Sequence, residues 1–179
     1  MALTTPADGR TTMDDITALI LDDHAAFRRG FARLDDAADV GQQRAVWEPL
    51  ALYLEIHAEA EERILYPHLV RRGGPDADEE TEDAIGDHNK IRDAIAASRT
   101  HEIGSDAWWK AVWDARRENT EHLGEEEDEA LPDFRRHATV ELRAELAQQW
   151  LAFYAEHPSG AGLTFRDKDP ERFVAKYTK

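Results

Sequence analysis

The sequence predicts an all-α fold, an up-down-up-down four-helix bundle with an additional C-terminal helix and an irregular tail. Three observations carry that reading. Apolar residues recur at steps of three, four and seven rather than two, Gly and Pro gather between the periodic segments, and runs of β-branched residues are nearly absent. Four long periodic segments joined by short connections are the pattern of a bundle.

The first helix begins after the Thr11-Thr12 cap region, carries Ile16, Ile20, Phe27, Phe31 and Leu34 on one side, and ends near 39–41. The second runs from about Gln42 to Arg72 and is closed by Gly73-Gly74-Pro75. A third spans roughly Asp76 to His101, and Ser105 caps a fourth that runs to about His137. The fifth covers about Val140 to Glu156, leaving a tail with at most a short helix. Pro67 and Pro132 each fall ten residues after a histidine, where a proline should kink a helix or end it early. These boundaries give a flexible N-terminus at 1–12, one domain at 13–157 and a tail at 158–179.

A chain of 179 residues with 41% hydrophobic side chains is long enough to enclose one core. Its 38 acidic and 22 basic side chains leave a formal charge of −16, which repels nucleic acid and anionic membrane surfaces. No basic patch offsets that charge, no apolar run is long enough to span a bilayer, and the N-terminus lacks the apolar core of a signal peptide. A soluble cytoplasmic protein is expected. With no cysteine, any metal must be held by His, Asp and Glu.

The chain repeats itself. His24 to His57 is 33 residues and His88 to His122 is 34, while DHAAFRRGF from Asp23 parallels DHNKIRDAI from Asp87. HAEAEERILYP and HLGEEEDEALP place His, Glu and Pro at the same offsets, giving His57, Glu61 and Pro67 in one half and His122, Glu126 and Pro132 in the other. The interior line of the second helix reads Leu50, Leu54, His57, Glu61, Ile64, His68, and that of the fourth Trp108, Val112, Ala115, Asn119, His122, Glu126. Residues four apart share a helix face, so both His-x-x-x-Glu pairs point at the core. His24 interrupts the first helix between Ile20 and Phe27, and His88 the third between Ala84 and Ile91.

A single buried histidine is ordinarily a hydrogen-bonded core residue, and a single His-x-x-x-Glu a solvated pair. Six such residues at matched spacing are not, because two buried carboxylates need cations and no Lys or Arg is expected on these lines. His24, His57, Glu61, His88, His122 and Glu126 are therefore the candidate metal ligands. They are too many for one tetrahedral zinc and too rich in nitrogen for calcium or magnesium, and two irons fit best. His68, His101, His137 and His157 are assigned to packing or helix ends, Tyr53, Tyr66 and the tryptophans Trp108, Trp109, Trp113 and Trp150 to packing. Glu59 is expected to point away from the interior, and Glu125, Glu127 and Glu129 to lie on a solvated face.

This pattern, with the flanking EERILYP and HNKI, resembles the hemerythrin-like, HHE cation-binding family over about residues 13–137. The resemblance implies a bundle holding two iron ions with an oxo or hydroxo bridge, Glu61 and Glu126 bridging them, and a small diatomic or peroxide ligand. The chain departs from oxygen-carrying hemerythrins of animals, which have another His where this chain has Ala84 and an Asp one residue beyond Glu126. One missing nitrogen donor leaves an exchangeable position and favours redox chemistry, such as peroxide decomposition, over reversible oxygen storage. Sensing or carrying O2 or nitric oxide without turnover, and a purely structural or iron-reporting metal, are the competing readings.

Overall fold

A computed structural model describes residues 15–178. Among these the chain is all helical, without strands. Helix α1 (Ile16–Asp35) is followed by α2 (Val40–Ala60), a π-helical turn π1 (Glu61–Leu65) and α3 (Tyr66–Arg72). The order repeats with α4 (Ala77–Ser98), α5 (Asp106–Glu125), π2 (Glu126–Ala130) and α6 (Leu131–His137), and α7 (Val140–Glu156) and α8 (Pro170–Tyr177) complete the chain. No helix of the described residues is long and apolar enough to cross a membrane.

The helix starts follow local chemistry. Ser105 and Thr139 cap α5 and α7 as side-chain acceptors for Trp108 and Leu142 N–H groups, and Asp39 does the same for α2. Thr11 and Thr12 lie outside the described residues. The residue that caps α1 is Asp15, whose carboxylate accepts from Thr17 and pairs with Arg143 of α7 at 2.8 Å.

The prolines do not end their helices as expected. In each rod the turn before the proline widens by one residue, so Tyr66 N–H donates to Glu61 O and Leu131 N–H to Glu126 O. A proline has no N–H and its ring crowds the carbonyl four residues back; a π turn immediately before it relieves both without breaking the rod. Each π turn begins at the glutamate of a His-x-x-x-Glu pair.

Helix α1 packs on α2 and α7, while α4 packs on α5 and α8. Two apolar clusters result. One joins Ile16, Ile20, Tyr66, Ile85, Leu131 and Trp150, the other Phe27, Phe31, Trp47, Leu54, Ile91 and Trp108. On α1 His24 falls between Ile20 of the first and Phe27 of the second, and on α4 His88 falls between Ile85 and Ile91. A polar layer thus divides the core in two.

Asp15 links this packing to pH. Burial opposes its charge, but the Thr17 hydrogen bonds and the Arg143 guanidinium outweigh burial and hold its carboxyl below the ordinary value. A depressed carboxyl stabilises the fold above its unfolded pKa and loses that contribution as pH falls through the folded value. Asp15→Ala should therefore lower stability by about 1 kcal/mol at pH 7, with the gap to the unsubstituted protein closing below about pH 4, as read by chemical denaturation at both pH values.

Candidate metal centre

The polar layer contains all six candidate residues, buried from solvent. They fall into two groups whose ligand atoms lie within 4.8 Å of one another: His24, His57, Glu61 and Glu126 in one, Glu61, His88 and His122 in the other. Glu61 belongs to both. Its Oε1 is 2.9 Å from His57 Nε2, and its Oε2 is 3.2 Å from His88 Nε2 and 4.0 Å from His122 Nε2. Glu126 Oε2 stands 3.2 Å from His24 Nε2 and 3.9 Å from His122 Nε2, so it also lies between the groups.

These approaches are not hydrogen bonds. His24 Nε2, His57 Nε2, Glu61 Oε1 and Glu126 Oε2 are all buried and have no hydrogen-bond partner, because the close atoms are not aligned for one. Orphaned polar atoms in a core cost about 1–3 kcal/mol each, more when charged, and four converging on one point are the arrangement a cation satisfies. Neither Glu61 nor Glu126 has a Lys or Arg within salt-bridge distance among the described residues. The donor set of imidazole and carboxylate suits first-row divalent metals.

The far side of each ring explains its orientation. His24 Nδ1–H donates to Glu127 at 2.8 Å, His57 Nδ1–H to Asp23 at 3.1 Å and His88 Nδ1–H to Glu62 at 2.9 Å. A proton fixed on Nδ1 leaves the Nε2 lone pair facing the centre, as in carboxylate–histidine–metal triads. These carboxylates are in turn held. Arg28 pairs with Glu127 at 2.8 Å, Arg92 with Glu62 at 2.7 Å, and the Tyr154 hydroxyl donates to Asp23 at 3.0 Å beside a short bond from Tyr53.

The two halves exchange these partners. The second residue of each Glu-Glu doublet, Glu62 or Glu127, accepts from the first histidine of the other half. The Asp-His pairs at 23–24 and 87–88 begin a second symmetry, with Asp23 accepting from His57, but it is broken: Asp87 pairs with Lys90 at 2.7 Å. Among the hydrogen bonds of the described residues His122 Nδ1 has no carboxylate acceptor, in contrast to the other three.

Several sequence-based assignments change. Glu127 is not a solvated residue but the acceptor for His24. Arg92, one turn beyond His88, is a buried cation where none was expected. Glu59 faces away from the centre, yet it is buried and paired with Arg63 at 3.0 Å and Lys168 at 2.6 Å. Tyr66 does more than pack, since its hydroxyl reaches Glu126 Oε1 at 3.2 Å and Glu61 Oε2 at 3.5 Å. Trp113 is 49% exposed, stacked on Trp109. His68, His101, His137 and His157 stand outside both groups.

The tail, too, reaches the site. Lys168 N–H donates to the Asn89 amide oxygen, Asn89 donates back to Lys168 O, and the Lys168 ammonium binds both Glu59 and Glu62. Glu62 is thereby held down to about 2 against its burial, by the His88 hydrogen bond first and then by Arg92 and Lys168.

The field of the protein groups alone is that of a cation site. Burial disfavours a charged His57, yet the Glu61 and Asp23 carboxylates prevail and raise it to about 10. Burial raises Glu126, with the Glu61 carboxylate adding to it, and burial together with His88 pushes His122 down. A cation would take over from protons held this way, and its uptake releases them. Beside His122 and Glu126, a cavity of about 240 Å³ reaches the site past Ala84.

Lys168→Ala should leave Glu59 and Glu62 buried with fewer cations. Because the Lys168 side chain is 30% exposed, the cost is discounted from that of a fully buried pair to about 1–2 kcal/mol, measurable by urea unfolding of the chelator-treated chain.

No curated protein and no solved structure matches the chain. Residues 15–134, which span α1 through most of α6 and hold every residue of the polar layer, match the model of the hemerythrin HHE cation binding domain, and the chain belongs to that family.

Proposed function

We propose that this chain is a non-haem di-iron protein whose centre reacts with O2, peroxide or nitric oxide, with peroxide decomposition its main chemistry. His24, His57, Glu61, His88, His122 and Glu126 would hold two iron ions, joined as the resemblance implies by an oxo or hydroxo bridge. The four rods that carry them are read as an up-down-up-down bundle. The observation that carries this proposal is the set of partnerless atoms in the first group, His24 Nε2, His57 Nε2, Glu61 Oε1 and Glu126 Oε2, together with a second group that shares Glu61 and brings His88 Nε2 and His122 Nε2 to within 3.2 Å of each other.

When bound, the iron pair supplies a two-electron couple and Lewis acidity. The protein does the rest. Carboxylate acceptors fix the tautomers of His24, His57 and His88, and Tyr66 donates to Glu126 and approaches Glu61, holding both carboxylates in place. The two apolar clusters keep bulk water from either end of the layer. Ala84 and the cavity beside His122 give a small ligand room on that side. A carrier must bind oxygen and return it unchanged in a site closed to water; an open side works against that and for turnover. The overall reaction converts two peroxides to one O2 and two waters.

Metal analysis of protein made in iron-sufficient medium should give about two irons per chain; one zinc and no iron would refute the assignment. Glu61→Ala should lose most of the metal, whereas His101→Ala should keep it, and iron should stabilise the unsubstituted fold by about 3 kcal/mol per bound ion at a hundredfold excess over Kd.

Air should oxidise the reduced protein within minutes to a stable form, and peroxide should be consumed at a rate that His88→Ala and His122→Ala reduce by about tenfold or more. Reversible oxygenation over several cycles with no peroxide consumption above that of a metal-free control would assign a carrier or sensor instead. Ala84→His, by adding a nitrogen donor on the open side, should slow azide binding.

A further inference from the structure

The cavity beside Ala84 has a charge pattern that its size does not require. At its inner end lie His122 and Glu126, the latter with its side chain 1% exposed and its Oε2 without a hydrogen-bond partner. Around its mouth stand four carboxylates, Glu80 and Asp83 from α4 and Glu125 and Glu129 from α5 and π2, and no Lys or Arg lines it. Glu80, Ala84 and His88 follow one another at four-residue steps on α4, so the small Ala84 leaves Glu80 looking down the same face towards the centre. The Glu80 Oε2 is itself buried and partnerless. Burial, and then the carboxylates of Asp133, Glu129 and Asp76, outweigh the Arg136 guanidinium and raise the Glu80 carboxyl to about 7. Elsewhere around the centre Glu62 is matched with Arg92 and Lys168, and Glu127 with Arg28. Among the ion pairs of the described residues none involves Glu80, Asp83, Glu125 or Glu129.

We propose that this cavity is a charge-selective port to the metal centre, a temporary seat for an incoming divalent cation that passes small neutral ligands and repels anions. It rests on the metal-centre reading above and adds the class of molecule that the site admits: divalent cations during loading, and uncharged species such as hydrogen peroxide or O2 afterwards. At physiological salt, charges beyond about 8 Å are screened, so the four carboxylates at the mouth govern the last approach rather than the −16 of the whole chain. Local fields of this kind change association rates by about 10- to 1000-fold.

The full chain, stripped with a chelator, is mixed with Co2+ in a stopped-flow instrument and uptake is followed by the absorbance of the bound ion. At pH 8, above the value to which Glu80 is raised, E80Q/E129Q should load about tenfold more slowly, with the final Co2+ content unchanged. In iron-loaded protein the same variant should bind azide several-fold faster. E141Q/E156Q, which removes the same charge from exposed positions of α7, should change neither rate. The opposite signs for cation and anion are something that damage to the fold does not produce. Equal effects in the two variants, unchanged rates in E80Q/E129Q, or Co2+ and azide rates moving in the same direction would overturn the port while leaving the metal centre intact. Failure of the unsubstituted chain to take up Co2+ at all would overturn both.

Discussion

The structure depends on two carboxylates, Glu61 and Glu126, buried in the middle of a helical core with no Lys or Arg among the described residues beside them. Taking one carboxylate from water into a protein interior costs several kcal/mol even after relaxation. Almost everything around them serves to offset that cost: four imidazole Nε2 atoms facing inward, the Tyr66 hydroxyl from one side, and a shape that accepts cations. The apolar clusters on either side complete the fold but do not specify its centre, since a core of Leu and Ile would close the same gap more cheaply. The partnerless atoms of the polar layer are satisfied only if a cation is placed among them.

The centre is held by an outer ring as well as an inner one. Three of the four rings are oriented by carboxylates that are themselves anchored, Glu127 by Arg28, Glu62 by Arg92 and Lys168, and Asp23 by two tyrosines. His122 lacks such a partner and borders the cavity. The two halves of the site are thus unequal despite the internal repeat. A metal held by His88 and His122 would face the open side with weaker support from the protein, while one held by His24 and His57 would sit behind Trp150, Phe27 and Tyr53.

The π turns connect the fold to this arrangement. Each begins at the inner glutamate and is followed closely by a proline, so the wider turn that relieves the proline also sets the backbone at the carboxylate. The same local irregularity occurs in both halves, in step with the inner ligands.

What the sequence by itself determined was whatever depends on residues near one another along the chain. Helical periodicity, the Ser105 cap, the extent of α7, the His-x-x-x-Glu pairs and the repeat are all local, and a helix converts spacing into facing by a fixed rotation per residue. This was enough to identify six residues that the structure gathers in one layer. Proline gave a local signal too, but its outcome was open, since a helix can answer it by kinking, stopping or widening, and the surrounding packing chose the last. Only the tertiary structure decided the outer ring. Glu127 and Glu59 look like solvent-facing acids when counted along one helix, and become a half-buried and a buried partner because a ring from α1 and a lysine from the tail arrive from over a hundred residues away. Lys168 and Arg92 could not be placed from spacing, because long cationic side chains go to whichever carboxylate the packing brings within reach, and that depends on the whole chain rather than on any segment of it.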